Sequence, residues 1–246
     1  MGIVAAAQIA SVYYDARASA QRVAESIAEA ARSGAWLVVF TESCIPGYPD
    51  WVWRVSPRSS SPSAEPFATF ERRFVEQAIT IPGPETDIIA AACRQHHVMA
   101  AVGVTERPMG AGTLYNTLLY FGFDGSILGR HRKIVPTFVE RVVWGAGDGT
   151  TLRTITTPHG ILGGLICWEN MMPLARTTLY AQANRFTLPR CRIAATAGTP
   201  RFAISRRKVV CGLLALALSC VKAISRQICA LRVSTNQAKS STPEIV

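Results

Sequence analysis

The sequence predicts an α/β fold, a sheet covered by helices, on three observations. Short apolar runs suited to buried strands alternate with stretches of helical period. The first forty residues already run strand, helix, strand. The chain of 246 residues is 49% apolar, enough to bury one substantial core.

The elements follow in order. Residues 3–9, IVAAAQI, are a short apolar run and read as a buried strand. Asp15 can cap a helix continuing to about Arg32, because Val23, Ile27 and Ala30 share one face and Gly34 stops it. WLVVF at 36–40 is a second apolar strand, and the Pro-, Ser- and aromatic-rich residues 45–66 read as a loop. Helices are expected around 67–79 and over 84–97, followed by the strand VMAAVGV at 98–104. Residues 114–130 suit a hairpin turning at Asp124-Gly125. ILGGLI at 161–166 is another strand, and Pro173–Gln182 reads as a helix.

Composition sets bounds on function. No apolar run reaches the length of about 18 residues that a membrane span needs. The start, MGIVAAAQIA, has no signal-type basic region or cleavage site. Seven cysteines match neither a disulfide framework nor a C-x-x-C metal site, and a reducing cytoplasm is the simplest setting. The net charge of +10 invites a nucleic-acid reading. Its distribution opposes one: residues 1–183 hold 15 basic and 15 acidic side chains, while residues 184–246 hold 11 basic and one acidic. The chain is therefore divided at that point into a neutral body, 1–183, and a basic tail, 184–246, without sustained period. Within the tail, CGLLALALSCV at 211–221 is apolar but too short to span a bilayer.

Three segments carry chemistry, each at a strand end or just beyond it, where α/β folds usually place functional groups. Glu42, in FTESCIPGYPDW, directly follows an apolar strand. Partial burial there would raise its pKa and suit it to act as a base, although an isolated Glu reads equally as a cap for loop N–H groups. Lys133 lies in GRHRKIVPTFVER, with Glu140 seven residues on across Pro136. A solvated basic turn is the competing reading of that segment alone. Cys167, in GGLICWEN, ends a strand before an expected helix, whose N–H groups would favour the thiolate. A buried structural cysteine is the alternative. Together the three supply a base, a cation and a nucleophile. Neither a papain-like Cys–His signature nor zinc-ligand spacing accompanies them.

With these blocks in order, the chain resembles the nitrilase branch of the carbon–nitrogen hydrolase superfamily. The resemblance runs from about residue 2 to residue 182 and implies a catalytic triad of Glu42, Lys133 and Cys167. It also implies substrate-positioning roles for Glu140 and Trp168. The IPGYP and HRK-x-x-PT forms, with Trp168 next to the cysteine, are similar to nitrilases rather than amidases or carbamoylases. The implied reaction is hydrolysis of a small nitrile to its acid and ammonia, with no metal or organic cofactor. An amidase, a cyanide-hydrolysing enzyme and an inactive fragment are the alternatives. The implied architecture is an αββα four-layer sandwich of the nitrilase type, incomplete at its C-terminus. Family members form homo-oligomers, an expectation weakened here by the missing region.

After Gln182 the family pattern stops in the given frame. Reading the last base of each codon with the first two of the next restores a family-like pattern. Asn184 through Arg190 then permit S-V-Y-V-A-P, and Thr199 through Ser205 permit A-S-V-R-H-I. Residues 184–246 are accordingly expected to be an out-of-frame, disordered tail.

Overall fold

The computed structural model describes residues 2–55, 57, 64–183, 190–195 and 227–233. Its larger sheet is built from β1 (Gly2–Gln8), β2 (Ala35–Phe40), β3 (Met99–Glu106), β4 (Tyr115–Phe121), β5 (Ile127–Arg132) and β9 (Gln227–Val233), in the order β5-β4-β3-β2-β1-β9. A smaller sheet has the order β6-β7-β8, with β6 at Ile155–Thr157, β7 at Gly160–Ile166 and β8 at Arg190–Ala195. Strands β1, β2 and β3 are parallel. Strand β4 runs antiparallel to β3, and β5 antiparallel to β4. The carboxyl ends of β2, β3 and β5 therefore share one edge of the sheet with the start of β4.

Successive side chains of a strand point to opposite faces, and the larger sheet is apolar on both. Ala5, Ala7, Val38 and Phe40 face helices α1 (Ala16–Arg32) and α3 (Pro84–His96), packing on Val23, Ile27, Ile89 and Cys93. Their neighbours Val4, Ala6, Leu37 and Val39, with Met99, Leu118 and Tyr120, face Leu162 and Ile166 of β7. Helix α4 (Pro173–Ala183) covers the far side of the small sheet through Leu165, Ala175 and Leu179. The layers are helix, sheet, sheet, helix, the αββα sandwich expected from the resemblance.

Asp15 does cap α1, its carboxylate accepting from the Ala18 N–H at 2.8 Å. The expected loop at 45–66 contains a short 3-10 helix, Asp50–Trp53, and the next helix, α2 (Ala64–Glu76), begins three residues earlier than its apolar pattern suggested. Trp51, Phe67, Phe74, Leu114 and Trp144 form a separate apolar cluster that anchors these connections. The helix expected at Pro173–Gln182 is α4, but a 3-10 turn, Cys167–Met171, separates it from the thiol expected at its N-terminus. Proline lacks an N–H and favours the first turn of a helix.

Two stretches of the basic tail are strands. Strand β8 pairs parallel with β7, and β9 pairs antiparallel with β1. Each run supplies backbone donors and acceptors to an open sheet edge, which accepts any chain able to extend. The apolar run at 211–221 lies outside the described residues. Among the described residues no helix is long and apolar enough to cross a membrane.

Candidate active site

The end of β2 delivers Glu42 into a tight turn. Ser43 adopts the left-handed conformation, with φ 46°. Its hydroxyl lies 3.0 Å from the Gly47 carbonyl and 3.1 Å from the Thr105 hydroxyl, which fixes that turn. Gly103 of β3 passes directly beneath. A Cβ there would sit 2.4 Å from the Thr41 carbonyl oxygen and 2.9 Å from the Glu42 Cα, so the close approach requires glycine.

Strand alternation separates the basic residues of β5 and its continuation. Arg130 and Arg132 go to one side, where both bind the buried carboxylate of Glu106 at 2.6–2.9 Å. Burial would raise the Glu106 pKa, but the two guanidiniums and the Thr117 hydroxyl win and hold it below its ordinary value. His131 and Lys133 point inward, each 1% exposed. The solvated-turn reading of this segment fails for Lys133.

Lys133 Nζ donates to Glu42 Oε1 at 2.8 Å and to Glu140 Oε2 at 2.6 Å. Asn116 Nδ2, on β4, donates to the same Glu42 oxygen at 2.7 Å, leaving Oε2 clear of both donors. Glu140 is held from two further sides. The Thr137 N–H donates to its Oε2 at 2.7 Å, and the Tyr48 hydroxyl donates to its Oε1 at 2.8 Å. Trp53 Nε1 donates in turn to the Tyr48 oxygen at 3.1 Å.

Cys167 follows β7 and lies against the inter-sheet core, in a left-handed conformation with φ 55°. A non-glycine residue pays for such a conformation in steric strain, and surrounding contacts must enforce it. Asn170 Nδ2 supplies two, donating to the Cys167 carbonyl at 2.8 Å and the Leu165 carbonyl at 3.2 Å. Trp168 is 60% exposed beside it.

Burial pushes the Cys167 thiol up to about 12, and the negative charges of Glu42 and Glu140 act in the same direction. Lys133 and the Trp168 N–H oppose this without reversing it. The resting group is therefore a thiol: burial dominates, and the helix expected to favour the thiolate begins only at Pro173. Burial likewise raises Glu42, opposed by Lys133 and Asn116 and reinforced by Glu140. For Lys133, burial acts downward, but Glu42, Cys167 and Glu140 outweigh it and the net shift is upward. A carboxyl group of raised basicity, a persistent cation and a protonated thiol thus share one buried site, the components of a base-activated nucleophile with a charge stabiliser.

All five residues singled out from sequence lie in this region: Glu42, Lys133 and Glu140 in direct contact, Cys167 within their electrostatic reach, and Trp168 at its rim. Asn116 and Tyr48 were missed. A buried amide in the strand YNTLLYF, which a core strand rarely carries without a partner, was the available signal for the first.

The structure thus gathers a carboxyl group, a cation and a thiol at strand ends of an αββα sandwich. The family model for carbon-nitrogen hydrolases matches residues 3–200, and the chain belongs to that family. It is 42% identical over 178 residues to the bifunctional nitrilase/nitrile hydratase NIT4A of Lupinus angustifolius, covering 71% of this chain and 49% of that protein. It is 43% identical over 175 residues to nitrilase 1 of Arabidopsis thaliana, covering 71% and 49%. The chain thus spans about half the length of these curated relatives. Among solved structures, it resembles the carbon-nitrogen hydrolase from Helicobacter pylori G27, with a TM-score of 0.58, 21% identity, and coverage of 84% of this chain and 63% of that one. Nit3 of Saccharomyces cerevisiae superposes with a TM-score of 0.55 at 22% identity, covering 80% and 65%.

Proposed function

We propose that the chain carries the catalytic machinery of a nitrilase, which converts a nitrile to its carboxylic acid and ammonia. The observation that carries this reading is the division of labour at Glu42. Lys133 and Asn116 both occupy Oε1, so Oε2 remains available to a thiol that needs a base. Glu42 takes the thiol proton as Cys167 sulfur bonds to the nitrile carbon, and the proton passes to the nitrile nitrogen, giving a thioimidate. Lys133 and the Trp168 N–H stabilise charge that develops during the addition. Water adds to the thioimidate carbon, and the C–N bond breaks to release ammonia and leave a thioester. A second water, deprotonated by Glu42, releases the acid and returns the proton to Cys167. Glu140 holds Lys133 in place, and Trp168 borders the space a substrate would enter.

Several relatives are described as bifunctional nitrilase/nitrile hydratases. If the same tetrahedral intermediate breaks its C–S bond, the product is the amide, so both products belong in the assay. Purified protein should release ammonia from simple aliphatic or aromatic nitriles, and Cys167→Ala should abolish release. Full turnover by Cys167→Ala would reject the mechanism.

An inactive polypeptide is the competing reading, and measurable nitrile turnover rejects it. We also infer that residues 184–246 are read out of frame. The nucleotide sequence across codons 182–185 tests this: a family-like continuation in a second frame supports it, and its absence in all other frames rejects it.

A further inference from the structure

Glu169 is the fourth buried carboxylate near the reacting groups, and it contacts none of the triad side chains. It is 1% exposed. Its Oε1 accepts from the Ile134 N–H at 2.6 Å, and its Oε2 accepts from the Ile166 N–H at 2.7 Å. His131 Nε2 lies 3.0 Å from Oε2 and 3.2 Å from Oε1. A carboxylate facing Nε2 requires the ring hydrogen to sit there. Among the described residues the buried Nδ1 has no hydrogen-bond partner, and Glu169 is the polar contact that orients the ring.

The chain positions of these partners matter. His131 and Ile134 flank Lys133 on both sides, and Ile166 immediately precedes Cys167. Lys133 follows β5 of the larger sheet, whereas Cys167 follows β7 of the smaller one. The two groups therefore sit on different layers, whose facing sides pack through apolar residues, a contact that is not directional. Charge-assisted hydrogen bonds are directional and roughly twice as strong as neutral ones. One carboxylate binding both segments sets their separation.

We propose that Glu169 is a positioning residue that locks Lys133 and Cys167 into register across the two sheets. The proposal rests on the reading of those two residues as catalytic partners. It gives Glu169 no contact with substrate. Its effect passes through the backbone at 134 and 166 and through the His131 ring.

The test is a double-mutant cycle read at Cys167 itself and needs no turnover. Iodoacetamide alkylation at pH 8 is followed by peptide mass spectrometry in wild type, Lys133→Gln, Glu169→Gln and the double variant. Lys133→Gln removes the charge and keeps a hydrogen-bond donor. A cation this close to a thiol speeds alkylation, so Lys133→Gln should slow the wild-type reaction at least about tenfold. In the Glu169→Gln background the same change should matter less than about threefold, because a misplacement of roughly 1 Å weakens such coupling. Equal slowing in both backgrounds overturns the proposal. No slowing in wild type overturns the catalytic pairing beneath it, a separate result.

Buried Cys44 and Cys93 report integrity in the same samples. If Glu169→Gln raises their labelling, the chain has opened, and His131 carries the test. His131→Gln preserves a donor to Glu169, and His131→Leu removes it. Coupling kept in the first and reduced in the second supports the proposal; equal coupling in both overturns it.

Discussion

Replacing Lys133 with Met should destabilise the fold, and the loss should depend on pH. The Nζ is fully buried and donates to Glu42 and Glu140 at 2.8 and 2.6 Å, with both carboxylate side chains at most 5% exposed. Removing the cation leaves two buried acids close together without a counter-charge. Breaking a buried pair in this way costs about 3–5 kcal/mol. With a urea dependence of about 2–3 kcal/mol per molar, the unfolding midpoint should fall by roughly 1–2 M. The pH dependence follows from Glu42, whose folded-state pKa is already raised by burial and will rise further without Lys133. A group raised in the folded state contributes stability that is complete below its unfolded pKa, about 4.3. That contribution is lost as pH rises through the folded value. The deficit relative to wild type should thus be largest at pH 8 and smaller at pH 5, by at least about 1 kcal/mol. Urea titrations at the two pH values, followed by tryptophan fluorescence, to which the buried Trp144 contributes, measure it. A loss below about 1 kcal/mol that is identical at both pH values would refute the idea that Lys133 neutralises a buried carboxylate pair.

Other outcomes follow from the same geometry. Gly103→Ala places a Cβ against the backbone of the Glu42 turn, and should cost about 1–3 kcal/mol while lowering Cys167-dependent ammonia release. Trp144→Ala empties the cluster where the indole packs edge-on against Tyr48 at 5.7 Å and Phe74 at 6.2 Å. Chemical denaturation should show a loss of about 3–5 kcal/mol. Because the Cys167 thiol is pushed up to about 12, its alkylation rate should still be climbing at pH 10; a plateau at pH 8 would contradict the environment described.

Much of the site was legible because its chemistry is carried by residue types at strand ends. Glu42 and Cys167 each follow an apolar run that could hardly be anything but a strand, and Lys133 sits seven residues before Glu140 across a proline. What sequence could not supply was direction. Arg130, His131, Arg132 and Lys133 read as one basic run, and only pairing of β5 with β4 sends alternate members to Glu106 and to the interior. The helix expected at Pro173–Gln182 forms, but Pro173 starts it too late for its N-terminus to reach the thiol. Pairings distant in the chain, such as Asn116 with Glu42 across 74 residues and Tyr48 with Glu140 across 92, cannot be read from local sequence. The short strands β8 and β9 were unforeseen because edge pairing asks little of side chains.

The sequence by itself determined the α/β class, the family blocks, the change of composition at residue 184 and the identity of the acid, the cation and the thiol. Tertiary structure decided their protonation and their partnership. A thiol is a thiol rather than a thiolate here because packing between two sheets removes it from water beside two carboxylates. Lys133 stays charged because those same carboxylates enclose it. The first fact depends on the stacking of the two sheets, and the second on the pairing that brings the ends of β2 and β5 to one end of the larger sheet.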